Sequence, residues 1–268
     1  MSKIAKLIKA ISILTKKPYL INKIINDDSI HKDELLKNNL KLRNGFKMLD
    51  LIDILPNFNV AINPFSFLNG GSLITDLALL KGLVKQKEDC TYFEIGTWRG
   101  ESVANVSSEA KICFSLNLSN ESLKNLGYNQ EYLNQQEFFS KGLGNVTHLK
   151  GNSFEFDFSP YYNKCDVVFI DGDHQYKSVL NDTKIAFKLL KDEKSIIVWH
   201  DYARNPGKIR WDVLRGIYNG TPTEKKNNLF SVSNTLCAIY TNSPTPIIDG
   251  EKITPNKTFK INITAERL

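Results

Sequence analysis

Paired cysteines are missing from this 268-residue chain. Cys90, Cys113, Cys165 and Cys237 stand far apart with no CxxC spacing, which removes a zinc cluster and a redox dithiol from consideration. Three of them fall within or beside apolar runs, where a lone thiol acts as a small buried hydrophobe, and the pattern suits a reducing cytoplasm. No apolar run reaches about 18 residues, so no transmembrane helix is expected. Internal repeats, low-complexity tracts and nucleic-acid-binding motifs are also lacking. The formal charge of +6 is spread along the chain rather than gathered with stacking aromatics, so it favours anionic substrates or surfaces in general without specifying a nucleic acid. Disorder is excluded by composition, since hydrophobic residues make up 41% and charged residues 24%.

What is present begins with a basic amphipathic segment. From Met1 to Lys17, Ile4, Leu7, Ile8, Ile11 and Leu14 recur at helical spacing, while Lys3, Lys6, Lys9, Lys16 and Lys17 lie mainly on other faces. Packing of this stripe on the protein body is the expected arrangement, with attachment to an anionic membrane surface as the alternative. Lysines interrupt the apolar stretch and no small-residue cleavage site follows, so a signal peptide is not expected.

The spacing divides the chain into an N-terminal helical cap (1–58), an α/β domain (59–243) and a Pro-marked tail (244–268) with a strand expected over Thr258 to Thr264. No strand is expected before Asn57. Ser72 is the expected cap of a helix through Leu73, Leu77, Leu80 and Leu83. Beyond Cys90, short apolar runs alternate with helical segments, predicting parallel strands over 91–95, 112–117, 146–150, 165–170 and 195–199. The last two runs, 229–233 and 235–241, are too close for a crossover helix and should pair antiparallel. The expected fold is therefore α/β, a Rossmann-like, seven-stranded, mostly parallel sheet ending in an antiparallel hairpin.

Glu94-Ile95-Gly96-Thr97-Trp98-Arg99-Gly100-Glu101-Ser102 forms a strand end, a glycine turn and a helix start. A dinucleotide site would need G-x-G-x-x-G, and Trp98 and Glu101 stand where its second and third glycines belong. The pattern Glu-x-Gly-x-x-x-Gly-x-Ser instead resembles the first motif of class I S-adenosylmethionine-dependent methyltransferases, above all the small-molecule O-methyltransferases. The resemblance spans roughly residues 70–243. It implies that Gly96 and Gly100, with Thr97 and Ser102, let the backbone approach the methionine part of S-adenosylmethionine, and that Glu94 holds the site around its amino group. Asn117, after the second run, stands where that family places an acid on the ribose hydroxyls, and Asn152-Ser153 stand in the turn near adenine.

The strongest concentration of chemistry is Asp171-Gly172-Asp173-His174, directly after the run 165–170, followed by His200-Asp201 after 195–199. Titratable groups gathered at strand ends are candidates for binding or proton transfer. If the two strands are neighbours, Asp171, His200 and Asp201 meet at one rim, and they resemble the divalent-metal site of metal-dependent O-methyltransferases. That likeness implies Mg²⁺ or a similar ion, with His200 either ligating or orienting a carboxylate. His174 is the expected general base, with Asp171 and Asp173 beside it. His31 and His148 lie outside these motifs. The expected activity is O-methylation of a small hydroxylated acceptor, a sugar or secondary metabolite, in a pocket roofed by the cap and by Tyr202 to Trp211. Two alternatives stay open: a non-haem metal oxygenase, because one histidine and two carboxylates also suit Fe(II), and a non-catalytic binding protein. Homo-oligomerisation stays open as well.

Overall fold

The computed structural model describes residues 2–25, 27–248 and 255–267. Strands run β1 (Lys47–Leu49), β2 (Thr91–Ile95), β3 (Ile112–Asn117), β4 (Val146–Lys150), β5 (Val167–Ile170), β6 (Ile196–Trp199), β7 (Leu229–Val232), β8 (Ala238–Tyr240) and β9 (Ile247–Ile248). Helices are α1 (Lys3–Lys16), α2 (Leu20–Ile25), α3 (Asp28–Leu36), α4 (Leu51–Ile54), α5 (Ile74–Lys85), α6 (Glu101–Ser107), α7 (Asn120–Asn125), α8 (Gln130–Asn134), α9 (Tyr176–Leu189) and α10 (Trp211–Gly220).

The strands form one sheet in the order β4-β3-β2-β5-β6-β8-β7-β1-β9. The first five are mutually parallel, and β8 runs antiparallel to both β6 and β7. This is the Rossmann-like, parallel-dominated arrangement anticipated from the strand–helix alternation. The sheet has nine strands rather than seven. The additional pair is β1, which lies in the segment expected to be helical and runs parallel to β7, and β9, which closes the edge antiparallel to β1. Both are too short to show a period-2 pattern, and the strands that β1 pairs with, β7 and β9, lie far along the chain from it, so nothing local marks them. The strand expected at Thr258 to Thr264 does not form: residues 255–267 have no regular structure, and the tail's 249–254 and 268 lie outside the described residues.

The central strands are short continuous apolar runs because both of their faces are covered. In β5, Val167 and Phe169 join Leu79, Leu80 and Leu83 of α5 and Val103 and Val106 of α6. Val168 and Ile170 point the other way, into Val179, Ala186 and Leu189 of α9 and Val213, Leu214 and Ile217 of α10. Each buried Val, Leu, Ile or Phe side chain there contributes about 1.5–3 kcal/mol, so the centre of the sheet, not its two- and three-residue strands, holds the domain together.

Two local expectations change. Helix α5 starts after Leu73 rather than Ser72, because the carboxylate of Asp76 accepts from the Leu73 amide at 2.7 Å and closes the helix start from inside. Helix α1 forms where its spacing predicted, with the Ser2 hydroxyl accepting from the Ala5 amide at 3.2 Å, yet none of its residues is buried. Among the described residues, its apolar stripe is not buried against the body. No helix among the described residues is long and apolar enough to cross a membrane.

Candidate active site at the reversal of the sheet

Strand order reverses between β2 and β5, since β2 leads to β3 and β4 on one side while β5 and β6 continue on the other. The crevice beyond the carboxyl ends at such a reversal is where open parallel sheets bind ligands, because the flanking loops diverge there. Gly96 follows β2 and Asp171 follows β5, so both motifs flank this point.

The two loops touch backbone to backbone. Gly96 adopts φ 98°, and a Cβ on it would lie 2.2 Å from the Asp171 carbonyl oxygen and 2.5 Å from the Gly172 nitrogen. Only glycine permits that approach. The space it leaves is therefore filled by the Asp171–Gly172 backbone. Gly100, at φ 78°, sits at the N-terminus of α6, where a Cβ would meet the Ser140 hydroxyl at 2.2 Å.

Glu94 is fully buried. Its carboxylate accepts from the Tyr92 hydroxyl (2.8 Å), from Thr97 (2.6 Å) and from Ser115 (3.1 Å), and Ser102 also bonds it. Burial raises its pKa against these donors. In this conformation Glu94 fixes the glycine turn through Thr97 and Ser102 and has no surface with which to touch a ligand. Asn117, at the end of β3, donates to Gln136, whose own Nε2 is buried without a partner. Asn152 is exposed and accepts from the Phe154 amide, an Asx turn, while the Ser153 hydroxyl faces Asp182.

Across the reversal, β5 and β6 are adjacent, and the expected trio converges. One carboxylate oxygen each of Asp171 and Asp201 and a ring nitrogen of His200 lie within 4.8 Å of one another. His200 Nε2 is tied to Asp76 Oδ2 at 3.1 Å. Its buried Nδ1 faces Asp171 Oδ1 at 3.0 Å and Asp201 Oδ2 at 3.5 Å without hydrogen-bond alignment to either. An unaligned buried nitrogen between two carboxylates is a donor set that fits a divalent cation. Asp201 reaches the cluster from a left-handed backbone, φ 53°. Burial opposes charge on His200, but Asp171, then Asp201 and Asp76, hold its pKa well above the ordinary imidazole value.

His174 Nε2 pairs with Asp201 Oδ2 at 2.8 Å, and Arg210 stands 3.8 Å from the same oxygen. Burial works against the imidazolium, yet Asp201 outweighs it and raises the His174 pKa. Asp201 is in turn held well below the usual carboxylate range, burial being overridden by His174 and His200. Asp173 is exposed and accepts from Ser178 at 2.7 Å; it is not His174's partner. His31 is buried and His148 is half-buried beside Glu137, both away from the cluster.

Asp76 is the residue that sequence reasoning missed. It holds His200 from behind while also accepting from the Leu236 amide at 2.8 Å. Its only local signal, an acid in the first turn of a helix, reads as ordinary capping. The expected roof is partly present, since the Tyr202 hydroxyl accepts from the Phe46 amide at 2.9 Å and Asp28 Oδ1 accepts from the Trp211 amide at 2.7 Å.

Residues 93–202 match the family model of a methyltransferase domain, from the strand before the glycine turn to the residue after Asp201. An uncharacterised protein of Acanthamoeba polyphaga mimivirus is 32% identical over 155 residues, covering 50% of this chain and 65% of the relative, so the chain spans just under two thirds of that relative's length. Among solved structures, an O-methyltransferase from Bacillus cereus in complex with SAH superposes with TM-score 0.40 at 18% identity, covering 76% of this chain and 83% of the other. Spermidine synthase from Thermotoga maritima superposes with TM-score 0.36 at 15% identity, covering 52% and 46%. The family match therefore takes in the central strands of the sheet and both motif loops, and not the N-terminal or C-terminal segments.

Proposed function

We propose that the chain is an S-adenosylmethionine-dependent methyltransferase acting on a hydroxyl of a small molecule, with a divalent cation, Mg²⁺ or a similar ion by the resemblance, at Asp171, His200 and Asp201. The observation that carries the reading is the packing of Gly96 on Asp171, which joins the glycine turn and the acid–histidine cluster in one crevice. The family match supports it by spanning both halves of that crevice.

S-adenosylmethionine supplies an electrophilic methyl group, and a cation at the trio would supply charge stabilisation to the acceptor hydroxyl. The protein's own part is positioning and proton removal. Asp201 holds Nε2 of His174, and a ring nitrogen that faces a carboxylate keeps its proton. The neutral ring therefore carries its lone pair on Nδ1, which is the atom that takes the acceptor's proton. Asp76 fixes the His200 ring, and Thr97, Ser102 and Ser115 fix Glu94 so that the turn keeps its shape. By the resemblance, Asn117, Asn152 and Ser153 would contact the nucleoside.

Calorimetry with S-adenosylmethionine and S-adenosylhomocysteine tests the reading, run beside NAD and 2-oxoglutarate. Binding of the sulfonium and its product alone is expected; binding of 2-oxoglutarate instead, or of none, overturns it. With a panel of hydroxylated acceptors, His174→Ala should lower turnover by about 10²–10⁴-fold while S-adenosylhomocysteine affinity stays the same.

A further inference from the structure

Helix α1 has a face that nothing in the described chain covers. Ile4, Leu7, Ile8 and Ile11 are 71%, 61%, 63% and 53% exposed. At about 100° per residue these four and Leu14 fall within an arc of about 120°, Lys6, Lys9 and Lys16 occupy the opposite side, and Lys3 flanks the stripe. The pattern continues past the helix, with Tyr19, Ile21 and Ile24 exposed as well. Charge along this stretch has one sign: residues 1–26 contain six lysines and no aspartate or glutamate.

We propose that α1 docks the protein on an anionic lipid surface, lying in the plane of the interface. The reading stands apart from the methyltransferase assignment. An apolar stripe of this width, flanked by lysines and without acids, matches a surface that offers hydrocarbon below a layer of negative headgroups. Ile4, Leu7, Ile8 and Ile11 enter the acyl boundary while the lysine ammonium groups stay at headgroup level, their alkyl stems adding apolar contact. Tyr19 adds an amphipathic ring suited to the same boundary. A second copy of the helix meets the stripe but not the charge, because pairing would bring two lysine-rich segments together with no carboxylate in either to answer them. Since no α1 side chain is buried, the helix can change partner without disturbing the core.

The test is sedimentation of the full chain with phosphatidylcholine vesicles, with and without phosphatidylserine. Binding at least about tenfold stronger to the serine-containing vesicles is expected, lost at about 0.5 M salt as screening removes the lysine contribution. The double variant Ile8→Glu/Ile11→Glu should lose that binding at unchanged thermal midpoint. Three results overturn the proposal: no binding to serine-containing vesicles, equal binding by the double variant, or a concentration-dependent dimer without vesicle binding that the double variant abolishes, which would assign the stripe to a second copy.

Discussion

Replacing Gly96 with alanine adds one methyl group at a backbone position where two separate penalties act, and other glycines of the chain separate them. Gly142 also has positive φ, 85°, but a Cβ there meets nothing within 4 Å, so Gly142→Ala measures backbone strain alone, about 1–2 kcal/mol. Gly172 sits in the facing loop at an ordinary φ, with Asp182 Oδ2 and Ile95 O at 3.6 and 3.7 Å from its Cβ position, so Gly172→Ala should be nearly neutral. Gly96→Ala carries the strain and also drives a methyl group to 2.2 Å from the Asp171 carbonyl oxygen, which must retreat by roughly 1 Å at an overpacking cost of about 1–3 kcal/mol. The sum is about 2–5 kcal/mol, with the Asp171 loop displaced. Urea unfolding of the three variants gives the stabilities, and calorimetry with S-adenosylhomocysteine reports the displacement as weakened binding in Gly96→Ala alone. If Gly96→Ala matches Gly142→Ala in stability and keeps full affinity, the two loops do not lean on each other as described, and the coupling between glycine turn and acid–histidine cluster is refuted.

Two further predictions concern buried acids. Burial, followed by the charge of Asp173, raises the pKa of Asp182 from 3.8 to about 6 against hydrogen bonds from Ser153 and Asn181, so its contribution to stability is full below about pH 4 and is lost as pH rises through about 6. Asp182→Asn removes that loss, and in denaturant titrations its stability relative to wild type should improve by up to about 3 kcal/mol between pH 4 and pH 7.5; an equal difference at both pH values would refute the assignment. Asp76→Asn turns an amide NH₂ toward a buried donor, Leu73 N or Leu236 N, and should cost about 1–3 kcal/mol. Because Asp76 also orients His200, Mn²⁺ affinity measured by calorimetry should fall about 10–100-fold; unchanged Mn²⁺ binding would remove Asp76 from the support of the trio.

Much of the fold was legible because the central strands announce themselves. Runs such as Val167 to Ile170 are apolar throughout, since a helix layer lies on each face, and the Gly96 and Asp171 motifs stand directly at their ends. The hairpin β7–β8 was legible for a different reason: too little chain separates the runs for any crossover. Strands β1 and β9 were not, since a three-residue strand is decided by whether a distant partner is in place. Ser at a helix start usually is the cap, but at α5 Asp76 takes that role from Ser72 through a reach visible only in three dimensions.

The residues of the site were determined by the sequence to the level of chemistry: two loops rich in glycine, acid and histidine, at the ends of strands that the alternation makes parallel. Which of those groups touch was decided by tertiary structure alone. Strand order put His200 between Asp171 and Asp201, α5 brought Asp76 behind it, and the pairing of His174 went to Asp201 across a strand gap rather than to its neighbour Asp173. Sequence spacing likewise determined that α1 is amphipathic, because periodicity is a local property. Whether its stripe is covered depends on where the rest of the chain passes, and among the described residues none passes over it.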